Sequence, residues 1–366
     1  MKQKKSHNIL YGISLITASL LTSNVFAQTA QQELGRFLYF DENLSINQNQ
    51  SCASCHLPDT GFAEPDQQFP SSEGSIPGKF GGRNAPSAGY AAFFPEFTLK
   101  GGIQGGQFWD GRASNLTEQA KGPFLNPVEM AMPSMAAVLL AVESSPVGYS
   151  QLFLQVCGSS AFDDARNNFQ PGIDNAYHCL ADAIAAFERT SELSPFTSKF
   201  DAVEVGHAVF TTIEEEGFDL FTGKAKCAHC HELGSGKEKS VFTDFKYHNI
   251  GVPSNPELLV LANLPPDFKD PGLGGFLNDP KELGRFKTTH LRNVELTPPY
   301  MHNGVMTTLK EVVNFYNTRD IPGEWPEPEI SDNMNSSFIG DLGLTDAEED
   351  AIVEFMKTLN DGYTMN

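Results

Sequence analysis

The chain has 366 residues, with 46 acidic against 25 basic side chains and a formal charge of −21 at pH 7. A surface this acidic repels nucleic acid and anionic membranes, which excludes functions built on basic patches. The length allows two modest domains, each with its own core.

Lys2, Lys4 and Lys5 precede an apolar run from Ile9 to Leu21, and Val25-Phe26-Ala27 fits a cleavage position. Gly12, Ser14, Thr17 and Ser19 interrupt that run, which falls short of the roughly 20 residues a membrane span needs. The expectation is a cleaved export leader over 1–27, a mature chain starting near Gln28 in the periplasm, and no stable membrane insertion. The leader removes three lysines and no acid, so the mature charge is −24. That charge suits a small basic partner protein, and it equally serves solubility.

A short apolar helical stretch, Leu34 to Phe40, leads into the pentad Cys52-Ala-Ser-Cys55-His56. Residues 57–106 are rich in Gly, Pro and polar side chains, a length of loop that in a compact domain is usually functional or wraps a cofactor. A helix is predicted from Pro133 to Val142, and a second carries the stripe Tyr177, Leu180, Ile184 and Phe187. Cys157 and Cys179 stand outside any motif; an oxidising compartment favours a disulfide between them, although spacing alone does not show that their backbones meet.

The stripe ends near Ser194-Pro195, which marks the predicted boundary between domains 28–194 and 195–366. Gly217 to Phe221 then repeats the apolar approach to a second pentad, Cys227-Ala-His-Cys230-His231, as in a duplicated unit. Another long loop region covers 232–285. Thr308-x-x-Glu311 opens a helix to Asn317, and Thr345-x-x-Glu348 opens the last one, with Ile352, Val353, Met356 and Leu359 as its stripe. No alternating pattern is long enough for a substantial sheet. The fold class expected is all-α: two cytochrome c-like haem domains with long loops and little sheet.

CxxCH carries specific chemistry. Two thiols about one helical turn apart reach the two vinyl groups of one haem, and the following His turns its imidazole onto the iron. Zinc-binding CxxC pairs lie closer together in sequence, so two complete pentads point to two covalently bound haems c, with His56 and His231 as proximal ligands.

Taken in order, further segments resemble the bacterial di-haem cytochrome c peroxidases and their MauG-type relatives. They are Gly82-Arg83-Asn84-Ala85-Pro86, Phe108-Trp109-Asp110-Gly111-Arg112, Gln119 to Pro123, Asn126-Pro-Val-Glu129-Met130, Leu291-Arg292-Asn293 and Pro299-Tyr300-Met301-His302-Asn303-Gly304. The resemblance implies an oxidoreductase acting on hydrogen peroxide. It implies that Glu129 is the acid-base group, that Gln119 and Pro123 shape the pocket, and that Trp109 relays electrons between the haems. It also implies a calcium ion held by oxygens of Asn84, Thr297 and Pro299, suited to a hard cation.

The sixth position of each iron decides the chemistry. Residues 57–107 contain no His and no Met, where many family members place a displaceable His, so the first iron is expected to be open. In the helix after the Pro-Tyr-x-His segment, Tyr316 stands where the MauG branch places a tyrosine ligand; Met306 is its rival, and a core tyrosine is the plain alternative. A phenolate favours oxidised iron, whereas a thioether raises the reduction potential. The expected function is therefore oxidation of a protein partner, with peroxide reduction fed by a small cytochrome c or cupredoxin as the alternative and passive electron carriage as the third.

Overall fold

The computed structural model describes residues 28–234 and 239–364; the leader expected over 1–27 lies outside the described residues. Among the described residues the regular structure is mainly helical, joined by long loops, and the sheet is Tyr247–His248 paired antiparallel with Phe286–Lys287. Among the described residues no helix is long and apolar enough to cross a membrane.

Helix starts follow their caps. Ser134 accepts from the Ala137 amide at 3.1 Å, so that helix runs Met135–Ser144 and leaves Pro133 outside, two residues later than the periodicity predicts. Thr308 caps Leu309–Thr318 by accepting from Glu311 N, but the Glu311 carboxylate turns back to Thr307 N at 2.8 Å, so the expected box is only half formed. Thr345 and Glu348 form the full box at the head of Asp346–Lys357.

Two hydrophobic clusters form, one from residues between Leu34 and Leu193, the other from residues between Phe200 and Leu359. Each is built on the same crossing. The Ala30–Phe40 helix packs on Gln170–Glu188 with Gly35 against the Ala183 carbonyl, where a Cβ would overlap it. Thr212–Thr222 packs on Asp346–Lys357 with Gly217 against the Ala351 carbonyl in the same way. In both, the glycine also meets the Cβ of a phenylalanine one turn on, Phe187 or Phe355. The repeat suggested by the two pentads is thus a repeat of packing as well.

The stripe Tyr177, Leu180, Ile184 and Phe187 is buried, as expected. Cys157 and Cys179 are bonded, tying Ser150–Cys157 to Gln170–Glu188; a bridge closing a loop of 22 residues contributes about 3 kcal/mol in the chain-entropy model. Arg292, 1% exposed, pairs with Asp201 at 2.7 Å and lies over Phe200 and Phe242 of the second cluster and over Tyr90 and Phe196.

Candidate active site

Cys52–Cys55 forms a single helical turn, opened by Ser51 and Ser54 in a reciprocal cap. That turn sets both thiols on one side, and burial keeps them protonated, with Cys55 pushed up to about 12. His56 follows immediately; its Nδ1 lies 3.2 Å from the Phe62 carbonyl, and the Tyr39 hydroxyl donates to the His56 carbonyl at 3.1 Å. With the ring proton held on Nδ1, Nε2 is left free to bind a metal. Burial pulls the imidazole below its usual range, which favours the neutral, metal-binding form.

The second motif repeats this geometry. His231 Nδ1 lies 2.9 Å from the Phe242 carbonyl, and burial again lowers the imidazole. Phe62 and Phe242 both take left-handed backbone angles, with φ of 60° and 59°, which turn their carbonyls onto the two histidines. Burial lifts the Cys227 thiol to about 12.

Tyr316 is half-buried on the Leu309–Thr318 helix; burial, then the charges of Cys230 and Cys227, raise its phenol. Met306 is fully buried, and its carbonyl accepts from Tyr300 N at 2.7 Å. His248 lies 2.8 Å from Asp244 near Cys230. Burial would lower His248, but the Asp244 hydrogen bond overcomes this and lifts it to about 9.

A cavity of about 680 Å³ opens beside the first motif, within the size range of cofactor sites. Its wall brings together Cys52, Cys55 and His56 with Gln119, Pro123 and Glu129, and also Trp109, Asn84, Thr297 and Pro299. Two neutral thiols, a neutral imidazole and a largely apolar cavity fit a haem c. Glu129 is half-buried; Asn126 Nδ2 donates to its Oε1 at 2.6 Å. Burial raises the Glu129 carboxyl above its ordinary range, opposed by the Asn126 bond and the Arg112 charge. The Trp109 indole donates to the Asn84 carbonyl at 2.8 Å, and Asn84 N donates to the His302 carbonyl at 2.8 Å.

Several residues on this wall escaped the sequence reading. Asn126 could have been inferred as the partner of Glu129, because an Asn before Pro favours a turn that folds its side chain over the next residues. Lys287 and His290 also line the cavity, and no one-dimensional pattern marks them; Met130 and Met301, from the family-like segments, line it too.

A model of the family described as di-haem cytochrome c peroxidase matches residues 29–208. The methylamine utilization protein MauG of Paracoccus denitrificans is 39% identical, across 92% of this chain and 89% of its own length. The cytochrome-c peroxidase IdrP2 of Denitromonas iodatirespirans is 29% identical, across 90% of this chain and 81% of its own. The crystal structure of the diheme peroxidase BthA from Burkholderia thailandensis superposes with a TM-score of 0.78 at 33% identity, covering 92% of this chain and 87% of that one.

Proposed function

The chain belongs to the di-haem cytochrome c peroxidase family, and from that membership we propose a periplasmic peroxidase that passes the oxidising equivalents of hydrogen peroxide to a protein partner. Two units, 28–194 and 195–366, would hold one haem each; the two hydrophobic clusters support that division. When bound, the haems supply two irons that take up and hold those equivalents.

The protein's own groups do the rest. Cys52 and Cys55, and Cys227 and Cys230, would anchor the cofactors, and His56 and His231 would each supply an imidazole nitrogen to them. Glu129, with Oε1 held by Asn126, uses its other oxygen to take the proton from one peroxide oxygen and return it to the other, which leaves as water. Gln119 and Pro123 shape the peroxide pocket. Trp109, fixed by its bond to Asn84, links the two sites. Calcium at oxygens of Asn84, Thr297 and Pro299 would hold the same loop in place.

The residue that carries the choice of protein oxidation is Tyr316, on the Leu309–Thr318 helix and acted on by the charges of Cys230 and Cys227, with Met306 fully buried. A phenolate there disfavours electron entry from a carrier. The cytochrome-fed reading draws on the acidic surface and on the peroxidase IdrP2 among the relatives.

Electron paramagnetic resonance of the untreated diferric protein tests the open first iron. One high-spin and one low-spin haem are expected. Two low-spin haems, or a high-spin signal that needs prior half-reduction, would mean that a wall residue such as Met130, Met301 or His290 fills the sixth position.

A further inference from the structure

The cavity beside His56 carries four Lys or Arg side chains among the described residues: Arg83, Arg112, Lys287 and Arg292. Three are matched to carboxylates. Arg83 forks onto Asp270 at 2.6 and 2.7 Å and reaches Asp110 at 2.7 Å. Arg112 takes the other Asp110 oxygen at 2.9 Å, and Arg292 holds Asp201 at 2.7 and 3.0 Å.

Lys287 is different. It is 8% exposed; its Nζ donates to the Gly106 carbonyl at 3.1 Å and sits 4.0 Å from the Phe94 ring centre. Asp110, the nearest anion that acts on it, already serves two arginines. Arg83 and Arg112 thus take up Asp110 and Asp270, the Arg112 charge also acts on Glu129, and among the described residues no carboxylate forms an ion pair with the buried Lys287. An unpaired buried charge is costly, so the wall is complete only with an anion.

We propose that Lys287 is the counter-cation for a propionate of the haem anchored at Cys52 and Cys55. Thioether bonds fix the vinyl edge of a haem at the cysteines and send its carboxylates away from them. The groups acting on Cys52 and Cys55 are acidic or neutral: Glu188, Glu64, Glu129, Ser72 and Gln50. Lys287 comes instead from the strand whose backbone bonds Trp109, where its amide donates to the Trp109 carbonyl at 2.9 Å. His290, three residues on, is pulled down to about 3 by burial and then by Lys287, so it offers no competing charge. Burial, only partly opposed by Asp110, draws the Lys287 ammonium down to about 7; a carboxylate at this point restores it.

The proposal rests on the reading that a haem is attached at Cys52 and Cys55. Its test compares holoprotein carrying Lys287→Gln or Lys287→Arg with the unaltered protein, in a spectroelectrochemical titration that resolves the two haems. Loss of one nearby positive charge should shift the reduction equilibrium of the His56 haem toward ferric by about tenfold, and Arg should restore it. The haem at His231 should move much less. In the unaltered protein the propionate bending band of the resonance Raman spectrum should shift on transfer to heavy water, and Gln should remove that shift; this measurement stands even where the Gln variant does not fold. Two haems by mass with an unchanged equilibrium and band in Lys287→Gln, a shift confined to the His231 haem, or no heavy-water shift in the unaltered protein overturns the assignment. A mass showing no haem at Cys52 and Cys55 overturns it together with the reading beneath it.

Discussion

Glu129→Gln leaves both haems attached and slows the reaction with hydrogen peroxide by about 100-fold or more, the scale of a lost general acid-base group. The amide keeps the shape of the carboxyl and its contact with Asn126, so folding is preserved while the proton shuttle is removed. The pH profile sharpens the result. Burial raises the Glu129 carboxyl, and the group must be deprotonated to accept the peroxide proton. The rate should therefore fall on the acid side through a value above the ordinary carboxylate range, and the Gln variant should lose that limb. Stopped-flow rates across pH decide it; an unchanged rate removes Glu129 from the mechanism.

Tyr316→Met should raise the reduction potential of the second haem by at least about 0.1 V, within the roughly 0.8 V that axial ligands span. A thioether is a neutral soft donor that favours ferrous iron, whereas a phenolate favours ferric. Easier reduction by a carrier cytochrome should accompany the rise. Tyr316→Phe is the control, because it keeps the packing beside Leu309 and Val313 and removes only the oxygen. An unaltered spectrum and potential in the Phe variant would make Tyr316 a core residue and favour the cytochrome-fed peroxidase.

Much of this architecture was legible because it is local. The pentads fix thiols and imidazole within one turn, the capping pairs at Thr345 and Glu348 start a helix, and the stripe from Tyr177 to Phe187 finds the core. Where neighbours compete, sequence reasoning slips: Ser134 caps more strongly than the periodicity suggests and shifts the helix two residues on, from 133–142 to Met135–Ser144. Gly35 and Gly217 stand in plain view before each motif. Their role as crossing points, however, depends on Ala183 and Ala351, more than a hundred residues downstream. The setting of Lys287 was out of reach for the same reason, because its ammonium meets the Gly106 carbonyl at a separation of 181 residues.

The central claim is that oxidising equivalents are held for a protein partner and are not spent on a carrier cytochrome. The most direct measurement mixes stoichiometric hydrogen peroxide with the diferric protein and follows the decay of the oxidised species, with and without a reduced small cytochrome c. The account predicts a long-lived species whose decay the cytochrome leaves unchanged. Rapid, repeated oxidation of the cytochrome would contradict it.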